Sequence, residues 1–249
     1  MPQIVSPLTA IPIGTTVLKL IQSFCREYAL PVPNAIAGST DGGSLQMREL
    51  LQAVGEDCWL ASNWQACLRT ISFISQEGMD QGDIRILCPD NFSHIIPQTF
   101  WNSSSRRRID GPLTDFDWQQ LSVYNSAGNQ FAFYISGNRL QMSSTTKANQ
   151  GLTLIYKSRN WLYQDGVNLG NEYKSDVDTC IFSNVLMKRG LNAFWLRSKQ
   201  MPHRLEMEMF ENSKAQEASQ DVVKNVIQLD GGIGLRPAGI TIPIGNWTR

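Results

Sequence analysis

The chain has 249 residues, of which 42% are apolar and 18% are charged, and this charged share lies below the roughly 25% of an average globular protein. Such a composition excludes a disordered chain. Basic and acidic residues number 22 each, so the formal net charge is zero, which argues against a strongly basic nucleic-acid binder. No apolar run approaches the roughly 18 residues of a membrane-spanning helix, so we expect no membrane contact.

The N-terminal part is predicted to be an arm followed by two helices. Prolines in residues 1–13 indicate an extended arm, and the first basic residue, Lys19, comes too late for a signal peptide. Apolar residues at helical spacing predict a helix over 15–28. A second helix is expected to be capped by Ser44 and terminated by Gly55.

The next segment mixes strand and loop signals. Apolar alternation predicts a strand or a bent strand pair over 66–75, and residues 77–87 have the composition of a loop. Asp90 is expected to cap a short helix. Arg106–Arg108 then form a basic cluster, for which two interpretations stay open: a solvated loop with structural ion pairs, or a contact with DNA or with an acidic surface of a partner.

A third helix is predicted directly after this cluster. Gly111 and Pro112 predict a tight entry, and Thr114 with an aspartate three residues later is a variant of the capping box. Trp118 and Leu121 are expected to be core residues of that helix.

The period of the apolar residues changes twice in the second half. Alternation over 122–157 predicts an antiparallel meander of about four strands, to which Tyr173 adds an edge. Helical spacing returns at Asp176, with a break expected at Pro202, and continues to about Asp221.

Residues 222–249 have few charges and no helical period, and they are predicted to form an extended C-terminal arm. An apolar arm without its own core is expected to bury itself on another chain. The candidate partner-binding residues of the arm are Ile233, Leu235, Ile240, Ile242, Ile244 and Trp247.

The sequence contains few signs of catalysis. His94 and His203 have no histidine or cysteine at metal-ligand spacing, and the five cysteines form no CxxC pair. Wide cysteine spacing favours a reducing, cytoplasmic folding environment. Cys67 and Cys88 are nucleophile candidates only if a base lies nearby. We therefore expect no enzyme, no metal and no cofactor.

The segment from residue 83 to residue 121 resembles a pattern found in structural proteins of tailed bacteriophages. A proline–acidic–aromatic start is followed by a tryptophan, an arginine pair, Gly-Pro-Leu-Thr and a Trp-Gln pair. In this sequence the matching residues are Pro89, Asp90, Phe92, Trp101, Arg106, Arg107, Gly111, Pro112, Leu113, Thr114, Trp118 and Gln119. The resemblance covers about residues 60–220, is most specific at the Gly-Pro-Leu-Thr motif, and does not extend to residues 1–58.

The resemblance implies a head-to-tail adaptor, with an α+β fold built as a helical bundle, an inserted antiparallel β-meander and extended N- and C-terminal arms. The corresponding division is a helical core of residues 1–121 and 177–221, a β-insert of 122–176, and an arm of 222–249. Such proteins form a homo-oligomeric ring, usually a dodecamer, between portal and tail.

The partners that this implies are other copies of the chain, the portal protein and a tail-tube or nozzle protein. Genomic DNA would pass through the ring without sequence-specific contacts, and the protein would end in the neck of the virion after assembly in the host cytoplasm. Two alternatives stay open: another neck, tail-tube or nozzle component, and an enzyme with an unrecognised site.

Overall fold

A computed structural model of the chain describes residues 3–5, 15–124, 131–164 and 168–221. These residues form helices and antiparallel strands, which confirms the α+β class. The described α-helices are α1 (Val17–Glu27), α2 (Gly42–Ala61), α3 (Ile84–Leu87), α4 (Asp115–Tyr124), α5 (Asn184–Ser198) and α6 (Arg204–Asp221), and a short 3-10 helix spans Gln65–Cys67. None of them is long and apolar enough to cross a membrane.

The described strands belong to three sheets. They are β1 (Gln3–Val5), β2 (Leu68–Ile74), β3 (Gly78–Asp83), β4 (Phe92–Ile95), β5 (Trp101–Asn102), β6 (Arg107–Arg108), β7 (Phe133–Ser136), β8 (Arg139–Thr146), β9 (Gly151–Ser158), β10 (Leu162–Gln164), β11 (Asn168–Gly170) and β12 (Thr179–Cys180). The main sheet has the order β1-β2-β9-β5-β6, and β4 also pairs with β9. The two small sheets have the orders β3-β8-β7 and β11-β10-β12.

Helices α1, α2, α5 and α6 pack around one apolar core. Phe24, Leu51, Leu191 and Phe210 each contribute a fully buried side chain from a different helix. Polar side chains fix the helix starts: for example, the hydroxyl of Ser183 accepts a hydrogen bond from the third residue of α5. The predicted helix over 15–28 is confirmed by α1, and α6 ends at Asp221 as expected.

Helix α2 differs from its predicted bounds. Asp41, not Ser44, is the N-cap, and its Oδ2 accepts a hydrogen bond from the backbone N–H of Ser44 at 2.9 Å. Gly55 does not end the helix, which continues to Ala61. A Cβ at Gly55 would lie 2.0 Å from the ring of Trp161, so this glycine makes room for a buried indole.

A second apolar core lies against one face of the main sheet. Strand β2 confirms the strand predicted over 66–75 and pairs antiparallel with β9, so that Ile71 lies opposite Leu154 and Ser72 opposite Thr153. Apolar residues of both strands therefore share the buried face, and hydroxyl residues share the other.

The β-region is larger than the predicted insert of 122–176 because β2 to β6 precede residue 122. The predicted loop over 77–87 is wrong: it contains β3 and α3. A six-residue strand with two glycines and two aspartates carries no apolar alternation, so its composition hides it. The prediction of a helix after Asp90 is also wrong, since Phe92–Ile95 is the strand β4, which pairs antiparallel with β9.

The strands of the segment 122–157 do not form one meander. Strands β7 and β8 form a hairpin that pairs with β3, whereas β9 belongs to the main sheet. Tyr173 lies outside the strands, and the helix expected from Asp176 begins only at Asn184. The expected break at Pro202 is confirmed, because α5 ends at Ser198 and α6 begins at Arg204.

Candidate interaction surface

The main sheet has one face that the described residues cover only in part. Along β9, Leu152 and Leu154 are fully buried, while Thr153 and Ile155 are half-buried. The hydroxyl oxygens of Ser72 and Thr153 lie 3.0 Å apart across the strand pair. We call this surface the open sheet face, and its residues are Thr70, Ser72, Ile74, Trp101, Thr153 and Ile155.

Two large apolar side chains stand out on the open sheet face. Ile74 is 62% exposed at the end of β2, and Trp101 is 47% exposed on β5, opposite Thr153. Exposed apolar side chains that share one face of a sheet fit a binding surface. The face therefore has the character of a docking surface.

The predicted basic cluster lies in a β-hairpin at the edge of this face. We call Trp101–Arg108 the arginine hairpin; in it β5 and β6 pair so that Trp101 lies opposite Arg108. Serines of its turn anchor it to the start of β9: Ser103 Oγ donates to the carbonyl of Gly151 at 2.8 Å, and the N–H of Gly151 donates to Ser104 Oγ at 2.9 Å. The turn is thus held in place against the main sheet.

The three arginines of the hairpin have different surroundings. Arg108 forms an exposed ion pair with Asp110 at 2.9 Å, and Arg107 lies 5.1 Å from the ring centroid of Phe131, a cation–π distance. Arg106, at the turn with φ 53°, has no ion pair within the described residues. A structural ion pair therefore explains Arg108, and a contact with DNA or a partner stays a prediction for Arg106 and Arg107.

The predicted cap of α4 is present. The backbone N–H of Asp117 donates to Thr114 Oγ1 at 3.2 Å, and the Thr114 hydroxyl donates to the Asp117 carboxylate at 2.7 Å. The entry to this helix is narrow as expected, because a Cβ at Gly111 (φ 140°) would lie 2.5 Å from the carbonyl oxygen of Phe133. Pro112 follows through a cis peptide bond.

The predicted core position of Trp118 is wrong. Its side chain is half-buried and stacks on Tyr134, with ring centroids 5.1 Å apart. Leu121 is half-buried as well. Helix α4 is short and lies beside β8 at the rim of the β-region, so neither side chain reaches the core that Phe133 and Leu140 occupy.

A buried lysine joins the sheet to the end of α2. Lys157 is 3% exposed, and its ammonium donates to the carbonyls of Trp59 at 2.6 Å and Ser62 at 2.8 Å. It also lies 4.1 Å from the ring centroid of Trp59. Burial lowers the pKa of Lys157, while the partial negative charge at the C-terminal end of a helix favours the ammonium. The sequence analysis missed this residue, because Lys157 occupies a polar position in the apolar–polar alternation of β9, where an exposed side chain is expected.

His94 lies next to this lysine but does not form a catalytic arrangement with the cysteines. It pairs with Lys157 across the strands β4 and β9, and its Nε2 lies 3.1 Å from Asn63 Oδ1. Burial and the charge of Lys157 lower the pKa of His94. His203, in the connection between α5 and α6, contacts the carbonyl of Met201 through Nδ1 at 2.9 Å.

The candidate nucleophiles are poorly placed for chemistry. Cys67 and Cys88 are buried, and burial raises the pKa of each thiol to about 12. A thiol of this pKa carries almost no thiolate at neutral pH, and the thiolate is the nucleophile. Within the described residues, no three His, Cys, Asp or Glu side chains are grouped so that they could hold a metal ion.

A groove of about 530 Å³ lies between the connection from α1 to α2 and the end of α5. Pro31, Val32, Met47 and Trp195 give it an apolar lining, and Asp41 lies at its border. It contains no charged pair that would fix a substrate, and it lies in the helical layer, apart from the arginine hairpin.

The six candidate residues of the C-terminal arm come after Asp221 and lie outside the described residues. In the comparisons with known proteins, no protein-family model matches the chain, and no curated protein matches it.

Proposed function

We propose that the chain is a structural protein of a tailed-phage virion, a head-to-tail adaptor that forms a ring between portal and tail and lines the DNA passage. The observation that carries this proposal is the open sheet face with the arginine hairpin at its edge. Exposed Trp101 lies opposite Arg108 on this face, and Ile74 is exposed at the end of β2. Arg106 lies at the turn of the hairpin. The resemblance at residues 60–220 supplies the identity of the assembly.

A surface of this composition supports binding of another protein chain. Tryptophan and arginine are enriched among the residues that contribute most to protein–protein affinity. The serine contacts with β9 hold the arginine hairpin in one position, which lowers the entropy cost of binding. A rigid, partly apolar surface fits a subunit that assembles better than it fits an enzyme.

The alternative of an enzyme is less well supported. Its candidate groups are buried thiols of raised pKa and a histidine that contacts an amide and lies beside a lysine. None of these pairs a nucleophile with a base.

Further parts of the proposal are finer than the α+β class. They are the helical bundle with an inserted β-region, the extended arms, and the partners: the chain itself in a ring, the portal protein, a tail-tube or nozzle protein, and DNA held without sequence preference. The C-terminal arm of residues 222–249 would bind the portal or a neighbouring copy, and its deletion tests that part directly.

The experiment is to produce phage particles without this chain and to restore it from a plasmid. An adaptor is needed to join the two halves of the virion, so we expect DNA-packed or leaking heads and separate tails, and complete particles on restoration. A plasmid that carries the chain without residues 225–249 should give a folded protein that does not restore joining. Complete, infectious particles without the chain would contradict a structural role.

A further inference from the structure

We infer that the arginine hairpin and the open sheet face of one copy bind the outer side of helix α6 on a second copy. This inference rests on the proposed function, because a ring requires two different surfaces on each subunit that fit each other. The first surface is described above. The second surface is a row of side chains on α6.

Helix α6 has an outer side that the described residues leave exposed. We call Leu205, Glu208, Met209 and Asn212 the α6 stripe, and their spacing of three, four and seven residues puts them on one side of the helix. Leu205 is 67% and Met209 is 39% exposed. The opposite side, with Phe210, is buried against the helical core.

The charges of the two surfaces are complementary. The α6 stripe carries one charged side chain, the carboxylate of Glu208. Glu208 has no ion pair with any residue that the structure describes. In the arginine hairpin, Arg106 has no ion pair within the described residues, whereas Arg108 is paired with Asp110. Opposite charges of this kind orient two surfaces and exclude wrong partners.

The apolar parts also match. Trp101 is exposed opposite Arg108, and Ile74 is exposed on the same face of the sheet. Leu205 and Met209 are exposed beside Glu208. Flexible leucine and methionine side chains can enclose an aromatic ring. Nucleic acid fits the first surface less well, because Arg108 is already neutralised by Asp110 and the neighbouring side chains are apolar.

The two surfaces belong to different ends of the molecule. Asp221, at the end of α6, accepts a hydrogen bond from the backbone of Gln65, just before strand β2. Leu205 precedes Asp221 by four to five helical turns, so it lies about 24 Å from Asp221 along the helix axis. The contact therefore forms between copies, and a contact between two different surfaces generates a ring or a filament.

The test introduces one cysteine into each surface of the full-length chain, Arg106→Cys and Glu208→Cys. The five native cysteines are buried, so the new thiols react first under a mild oxidant. We expect the double variant to form a ladder of disulfide-linked multimers, and a mixture of the two single variants to form mainly dimers. Arg106→Cys with Glu49→Cys is the matched control, since Glu49 is an exposed carboxylate on α2.

Charge reversal gives a second readout that does not depend on thiol geometry. Arg106→Glu, added to the cysteine pair Ser105→Cys and Asn212→Cys at exposed positions of the two surfaces, should slow cross-linking by about tenfold, and Glu208→Arg should recover most of that loss. Melting followed by circular dichroism checks that each variant is folded.

Cross-linking is measured at about 1 mM protein, a concentration at which even weak contacts of this kind are populated. A rate no faster than that of the Glu49 control would overturn the inference. Salt-sensitive binding of duplex DNA that Arg106→Glu abolishes and Glu208→Arg leaves unchanged would assign the hairpin to nucleic acid instead. If particles lacking the chain fail to join but cross-linking fails too, only this interface is wrong. If cross-linking succeeds and particles are complete without the chain, the interface is supported and the adaptor function is contradicted.

Discussion

Lys157 is the clearest point at which the helical layer and the main sheet depend on each other. Replacing it with methionine keeps most of the side-chain volume and removes the ammonium, together with its hydrogen bonds to the carbonyls of Trp59 and Ser62. A hydrogen bond to a charged group contributes about 1.5–3 kcal/mol, so the two contribute about 3–6 kcal/mol. Removing the cost of burying the charge offsets part of that loss. We expect the Lys157→Met variant to lose about 2–4 kcal/mol of unfolding free energy.

Urea unfolding, followed by tryptophan fluorescence and by far-ultraviolet circular dichroism, measures this loss. Lys147→Met is the matched control, because Lys147 is exposed and a surface substitution usually changes stability by at most about 0.5 kcal/mol. A second readout is His94: removing the neighbouring ammonium should raise the pKa of its imidazole, which NMR titration follows. Lys157→Met with the stability of the control would refute the reasoning, since it would mean that the two carbonyls do not need the lysine.

The other predictions concern the helices and the hairpin. Gly55→Ala should destabilise the protein by about 1–3 kcal/mol, because the new methyl group overlaps a buried indole. The control Gly42→Ala adds a methyl group in open space on the same helix, and it should not change the stability measured by thermal unfolding. Trp118→Ala should lower the unfolding free energy by about 1–2 kcal/mol, less than the 3–5 kcal/mol of a core aromatic, because Trp118 only stacks on Tyr134 at the surface. A loss above about 3 kcal/mol in urea unfolding would mean that Trp118 is a core residue. Replacing Arg106–Arg108 with alanine should leave unfolding free energy within about 0.5–1 kcal/mol of wild type but lower the yield of joined, DNA-filled particles, and normal particles would show that the cluster is only a solvated surface.

The sequence predicted elements well where one strong local signal was enough. Helix α1 has a clear apolar period, and Thr114 forms the cap that its spacing with Asp117 predicts. The prediction at Gly55 was wrong, because the local sequence does not distinguish a glycine that ends a helix from one that leaves space for the ring of Trp161. Strand β3 was missed because its partner β8 lies about 60 residues away and supplies the pairing that its composition does not predict.

The candidate site was predictable only in part. The arginine run was visible as a basic cluster, but the ion pair of Arg108 with Asp110 and the contact of Arg107 with Phe131 require a folded hairpin. The exposure of Trp101 follows from the register of β5 on β9, which places it opposite Thr153 on the open sheet face. Alternation identifies which residues share a face, but long-range pairing decides which face is left open.

A cryo-electron microscopy map of the joined region of intact particles tests the central claim most directly. The map should contain a closed ring of copies of this chain between portal and tail, with the arginine hairpin of each copy against the α6 stripe of the next. A map in which the density next to the portal cannot hold the described helices and main sheet, or in which the chain lies elsewhere in the particle, would contradict the claim.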